Sequence, residues 1–404
     1  MSALGQILNQ QLTAGCGRPV PRLGRVPQLA LGKVSPESIP PAMSIRNTLR
    51  FLAVGCVVAA LGACGGSGGA ADNTPARLKP TATVSLWHSD LVFDATRQSL
   101  YAVVGNDSSS PPKIVAIAAA SGQVQDLVAP SDPPLYAPVD PVQGTLSLSA
   151  QAQYLYFTTA GGAVSRVNLT AKTVDLTVPA PTASNAKVAA AAASRTDDST
   201  AYVQLVSNGS DPDSIGVLRN AQWGTAWVQV PRHPGVAATL AVRSDDAELL
   251  SRASALQRVG IGANGPDTVL ETGTIPSSSS PDVPQYVSAG ALAQGRIYEA
   301  TSLVLLFEVA GASVCGVLPN RSRLVCAAPA ASTGHELFVF DLPTRSRVAS
   351  WLAGFDTGTV FVTTPALRVT PIGTGRVAVS YGSANKLATY GPNALAIYSD
   401  AAFN

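Results

Sequence analysis

From about residue 81 onward, apolar positions come in short runs. Each run is cut by Gly, Pro, Asn, Asp or Ser. No stretch keeps the spacing of an amphipathic helix, so the pattern predicts strands joined by turns. One unit reads Leu91-Val92-Phe93-Asp94, then Gln98-Ser99-Leu100-Tyr101-Ala102-Val103-Val104, then Lys113-Ile114-Val115-Ala116-Ile117, closing at Gln123-Val124. The next reads Leu146-Ser147-Leu148-Ser149, then Tyr154-Leu155-Tyr156-Phe157, then Ala163-Val164-Ser165-Arg166-Val167-Asn168-Leu169, closing at Lys172-Thr173-Val174. Each predicts a strand, a tight turn, a strand, a loop, a strand, a turn and a final strand.

The second-strand signal of these units recurs at Leu100-Tyr101, Leu155-Tyr156, Ala201-Tyr202, Leu249-Leu250, Ile297-Tyr298, Leu324-Val325 and Val377-Ala378. Most intervals are 46–55 residues, but Ile297 to Leu324 is only 27. Either that unit is compressed or one hit is spurious. A uniform stretch of ~320 residues is long for one simple sandwich, so the repeat takes precedence over a two-domain reading. Four-stranded blades set radially bury both faces of each sheet and leave only short edges. The expectation is an all-β chain: a single β-propeller of seven four-stranded blades over residues 81–404, with six or eight blades as alternatives.

At these residues the chain resembles bacterial β-propellers with YVTN-type or quinoprotein-type repeats. The best-preserved piece is Glu336-Leu337-Phe338-Val339-Phe340-Asp341-Leu342-Pro343-Thr344-Arg345, a strand, Asp, turn, Thr ending. The quinoprotein-type pattern is only partly met between Ala116 and Asp126. Ala118 stands where Asp belongs, Ser121 where Thr belongs and Asp126 where Trp belongs. Those departures leave the fold intact and count against quinone chemistry.

Ahead of the repeat, residues 49–63 form an apolar run entered by Arg46 and Arg50 and ending Leu61-Gly62-Ala63-Cys64. About 15 residues are too few to span a bilayer, which takes ~20. The run has the charged entrance, apolar middle and small-residue ending of a cleaved signal. It resembles a bacterial lipoprotein signal peptide over residues 43–63, with Leu61, Gly62 and Ala63 as the peptidase motif and Cys64 as the lipidated residue. A signal must open the chain, so residues 1–42 read as an over-extended gene start before Met43. Residues 64–80 read as the anchor and a flexible tether. Gly65 follows the anchor where Asp would retain the protein at the inner membrane. In Gram-negative lipoproteins this implies an outer-membrane address in the cell envelope, facing the periplasm or the surface.

Setting residues 1–63 aside changes the charge. The whole chain is formally +2, but the remainder holds 21 basic and 24 acidic residues, a net of about −3. No basic patch argues for nucleic acid.

Cys315 and Cys326 flank Pro319-Asn320-Arg321-Ser322, a turn-like tetrad between two apolar runs. A turn centred between Asn320 and Arg321 sets the two cysteines directly opposite each other, within disulfide range. In an oxidising envelope this predicts a Cys315–Cys326 disulfide, the alternative being two buried thiols.

The remaining candidates for chemistry are weak. The three histidines, His88, His233 and His335, lack metal-ligand spacing. His88, in Trp87-His88-Ser89-Asp90 at the start of the first unit, reads as a hydrogen-bonded structural residue. Gly260-Ile261-Gly262-Ala263-Asn264-Gly265 fits a dinucleotide fingerprint, yet Pro266-Asp267 and a strand-like run follow instead of a helix. It reads as an inter-strand turn. Thr196-Asp197-Asp198-Ser199 and Asp211-Pro212-Asp213-Ser214 lack calcium-loop spacing and read as turns. The expectation is no catalytic residue, no metal and no cofactor.

Two functional classes follow. The first is a non-catalytic binding or scaffold module, held to the membrane through Cys64 and presenting a propeller face to an envelope protein, peptide or glycan. The second is a propeller enzyme such as a lactonase or quinone-dependent dehydrogenase. Asp, Glu, Arg or His converging on the channel mouth favours the enzyme, and an exposed apolar or aromatic patch favours the binder.

Overall fold

The computed structural model describes residues 76–105, 111–136, 144–181, 186–207, 212–231, 238–253, 255–276, 283–329, 335–353, 366–381 and 394–404. The described part is all-β apart from a 3-10 turn at Ala401–Phe403. Antiparallel sheets follow one another along the chain. Residues 88–128, 146–179, 186–230, 239–274, 285–308 and 314–353 form blades 1 to 6. Blade 7 takes three strands from residues 366–399 and its outermost strand, Ala82–Ser85, from the front of the chain. First strands of neighbouring blades lie against one another from blade 1 to blade 4 and from blade 5 to blade 7, and blade 7 lies against blade 1 in the same way. The architecture is a seven-bladed propeller.

Each second strand is buried on both faces, which explains the two-residue signal. Adjacent side chains on a strand point to opposite faces, so the members of each pair enter different inter-blade cores. Leu100 packs with Leu395 and Ile397 of blade 7, whereas Tyr101 packs with Leu146 and Phe157 of blade 2. Leu155 faces blade 1 and Tyr156 faces blade 3; Leu249 faces blade 3 and Leu250 faces blade 5. Ile297-Tyr298 breaks the pattern, because Ile297 faces blade 6 and Tyr298 faces blade 4. The order is reversed because this pair lies on the third strand, Arg296–Glu299. The second strand of blade 5 is Gly290–Ala293, paired as Ala291↔Tyr298 and Leu292↔Ile297. Blade 5 is thus genuinely compressed, and the sequence signal fell one strand late.

The ring closes by non-local pairing. Ala82–Ser85 runs antiparallel to Ala394–Ser399, with Ala82 opposite Ile397 and Ser85 opposite Ala394. Thr81 donates from both N and Oγ1 to the Ile397 carbonyl. Just ahead, Arg77–Leu78 adds as a fifth, parallel strand to the outer edge of blade 6, opposite Leu352 and Ala353. That short strand lies in the stretch the sequence pattern reads as tether.

The turns between first and second strands all lie on one face and are linked from blade to blade. Arg376 donates to Gln98 Oε1, Arg97 to the Ala152 carbonyl, and the Gln151 N–H to Asp198 Oδ1. Asp246 accepts from Arg195 N, Thr196 N, Thr196 Oγ1 and Ser194 Oγ. Arg321 reaches past blade 5 to Ser244 Oγ at 3.4 Å, while its carbonyl accepts from Ser288 N. Asn320 Nδ2 meets the Asn404 carbonyl at 3.5 Å.

On the opposite face, Asp90 joins three blades. Its Oδ2 accepts from Thr145 N at 2.7 Å, Thr145 Oγ1 at 3.1 Å and Leu146 N at 2.9 Å, all of blade 2. Its Oδ1 accepts from Leu91 N and pairs with Arg368 of blade 7. The Asp90 side chain is 1% exposed.

The hairpin of Val314–Val317 and Arg323–Pro329 places Cys315 opposite Cys326, with Cα atoms 4.1 Å apart and the sulfurs bonded. The turn is centred where the sequence reading put it. Asn320 Oδ1 caps Ser322 N and Arg323 N, and Arg321 takes φ +55°. The loop is short, with a separation of 11 residues. Its closure is expected to contribute on the order of 2–3 kcal/mol. Non-reducing peptide mapping of the protein recovered from its native compartment is expected to link the two cysteines. Free thiols at both would refute this.

Candidate binding site in the central channel

The inner strands of all seven blades wall a central cavity of about 470 Å³. Val92, Leu146, Ala191, Leu240, Val317 and Arg368 each come from a different blade, and Tyr286 completes the circle from blade 5. The volume is in the range of small-molecule sites. Most of the wall is apolar, with half-buried Val92, Ala241 and Val317 beside the edges of the core residues Leu148 and Val242. Three arginines interrupt it: Arg195, Arg321 and Arg368.

The three differ in their partners. Arg368, in the first strand of blade 7, is paired with the buried Asp90. Arg195 and Arg321 stand on the linked-turn face, in the first turns of blades 3 and 6, and both are exposed. Arg195 engages Asp246 through its backbone N–H, and its guanidinium makes no hydrogen bond to the described residues. Protein surrounds it on the channel rim although its surface reaches solvent. That desolvation holds its pKa below the usual value for arginine; nearby Asp246 opposes the effect and Arg321 adds to it. Arg321 donates one long hydrogen bond to Ser244. Nearby Asp245 is engaged by Arg243 and Ala247 N. Tyr286 Oη is buried without a hydrogen-bond partner, and burial raises its pKa.

The residues singled out from sequence take structural places. His88 Nδ1 donates to the Leu86 carbonyl at 3.0 Å, so Nε2 accepts from Ser380 Oγ at 2.8 Å. Burial lowers its pKa, and the neutral ring ties blade 1 to blade 7. His335 is buried at the start of the third strand of blade 6, its ring 5.4 Å from that of Tyr381. The glycine motif is the last hairpin of blade 4, with Gly262 paired to Gly265 across the turn. Asp197 caps its own turn through Ser199 and Thr200. Asp213 opens a strand of blade 3. Among the described residues no group of three or more His, Cys, Asp or Glu is set to hold a metal. Leu61, Gly62, Ala63, Cys64, His233 and Asp211 lie outside the described residues.

A second surface feature lies on the outer edge of blade 5. Val304, Leu305 and Leu306 are 61%, 46% and 40% exposed, and Leu306 is the extra residue of a bulge. The equivalent edge of blade 6 is covered by Arg77–Leu78.

The channel arginines carry no linear signal, since they sit on three blades. Arg368 is the one hint, a lone charge within Ala366–Pro371. No family model matches the chain, and no curated protein matches it. Among solved structures it is similar to the β-propeller domain of Cps50 (Swd1) from Myceliophteria thermophila. The TM-score is 0.54 at 14% identity, covering 80% of this chain and 99% of that one. At that identity the likeness concerns the fold, and the fold is a β-propeller.

Proposed function

We propose that this protein is a non-catalytic binding module of the bacterial cell envelope, anchored by a lipid on Cys64 and docking a protein partner on the rim of its propeller. The observation that carries the reading is the exposed run Val304-Leu305-Leu306 on the outer edge of blade 5, to which no strand among the described residues is added. An exposed apolar strand edge accepts an extended peptide through main-chain hydrogen bonds and side-chain contacts. The chain itself accepts such an addition one blade further on, where Arg77–Leu78 pairs with the outer strand of blade 6. An apolar rim suits a protein or peptide better than a glycan. The Leu61-Gly62-Ala63-Cys64 tetrad and its resemblance to lipoprotein signals support the anchor.

Arginines at the channel mouth are the observation that favours an enzyme. A guanidinium stays protonated near neutral pH and cannot act as a general base, so these groups hold an anion without moving protons.

Affinity capture from native envelope membranes tests the reading. The intact chain is expected to recover a stoichiometric protein, and Leu305→Lys to lose it while keeping the fold. Cys64→Ala is expected to leave the protein unlabelled by fatty acid and absent from membranes. Equal capture by Leu305→Lys, or saturable hydrolase or quinone-reductase turnover by the purified domain, would overturn it.

A further inference from the structure

We propose that the linked-turn mouth of the channel is a binding site for an amphipathic monoanion, whose carboxylate or phosphate head sits between Arg195 and Arg321 and whose apolar body enters the channel. This site is separate from the blade 5 rim. Charge balance locates the head. Arg368, at the opposite end, is neutralised by Asp90, so it offers little to a ligand. At the linked-turn mouth, the Arg195 guanidinium has no hydrogen-bonding partner among the described residues. Arg321 gives one 3.4 Å contact to a neutral hydroxyl. The nearest carboxylates are already satisfied. Asp246 receives four donors from the neighbouring turn, and Asp245 is held by Arg243.

Two like charges set near one another on a partly desolvated rim repel, and an anion between them relieves that repulsion. Each guanidinium presents a planar fork suited to a carboxylate or phosphate.

The channel itself accounts for the body of the ligand. Below the arginines the wall is Leu, Val and Ala from several blades, so a fully hydrophilic anion would leave it unused. About 470 Å³ admits a small ligand and excludes a folded segment. The linked turns hold the arginine backbones in place before the ligand arrives, which lowers the ordering cost of binding.

Calorimetry on the full chain with four probes tests the proposal: octanoate, octyl phosphate, octanol and acetate. Octanoate or octyl phosphate is expected to bind saturably, with octanol and acetate at least tenfold weaker. Whichever head binds tighter identifies the natural head group. Arg195→Gln and Arg321→Gln are each expected to weaken the tighter probe by about tenfold or more, the scale of a charge-assisted hydrogen bond. Gln suits both sites: Arg195 is exposed, and Gln98 already adopts φ +50° in a corresponding turn. Arg195→Lys is expected to restore part of the affinity. Leu305→Lys is expected to leave it unchanged, which separates this site from the partner-binding rim. The proposal is overturned if neither octanoate nor octyl phosphate binds, if octanol binds as well as they do, or if both Gln variants bind like the parent.

Discussion

A chain lacking residues 1–86 is expected to show no cooperative unfolding transition and to recover mostly as aggregate. The deletion removes Ala82–Ser85, the outermost strand of blade 7, and with it the only strand pairing among the described residues between the front of the chain and the last blade. It uncovers one whole edge of Ala394–Ser399, whose Leu395 and Ile397 share a core with Val84. An apolar strand edge left unpaired is a template for intermolecular pairing. A chain lacking only residues 1–80 keeps the closing strand and is expected to melt cooperatively. Size-exclusion chromatography and thermal circular dichroism on the two variants check this. A soluble monomer with a sharp transition from the shorter variant would refute the account of closure.

Replacing Asp90 by Ala is expected to cost on the order of 3–5 kcal/mol, the range for breaking a buried ion pair by removing one partner. The estimate applies because the side chain is almost fully enclosed and accepts from Leu91 N, Thr145 N, Thr145 Oγ1 and Leu146 N besides pairing with Arg368. Truncation leaves those donors unsatisfied and a guanidinium without its counter-charge. Asp90→Asn keeps one acceptor oxygen and is expected to fall between the two. Denaturant midpoints, with the slope checked for constancy, measure the difference. A change below about 0.5 kcal/mol, the scale of an ordinary surface substitution, would remove Asp90 from its role as a three-blade joint.

Strands and blade count were readable because inter-blade burial leaves a local mark. A second strand enclosed on both faces needs two large apolar neighbours, and Leu100-Tyr101 or Leu155-Tyr156 supplies them. The mark failed in blade 5, where Gly290–Ala293 is built of small residues and the bulk moved to Ile297-Tyr298. Pairings between distant segments were not readable. Nothing in Ala82-Thr83-Val84-Ser85 says that it pairs with residues near the far end, and nothing in Arg77-Leu78 separates an added strand from a tether. The hairpin around Asn320-Arg321 was readable because its register is fixed by a four-residue turn. In the cluster at Trp87-His88-Ser89-Asp90, His88 drew attention as the rarer residue type. The carboxylate beside it joins more blades, through donors 55 and 56 residues away.

The linked turns also decide how firmly each arginine of the aperture is held. From blade 7 through blades 1, 2, 3 and 4 the links are short and charge-assisted, with Arg376–Gln98 at 2.9 Å, Arg97–Ala152 at 2.6 Å and Gln151–Asp198 at 2.9 Å. The two side-chain links made by the first turn of blade 6 are long, 3.4 Å from Arg321 to Ser244 and 3.5 Å from Asn320 to Asn404. That turn is tied instead through its backbone, where the Arg321 carbonyl accepts from Ser288 N at 2.9 Å. At the base of the same hairpin, the bonded pair Cys315 and Cys326 clamps its two legs. Of the two mouth arginines, Arg321 thus carries a loosely tied side chain on a backbone pinned at both tip and base, so its guanidinium can swing without the aperture changing shape.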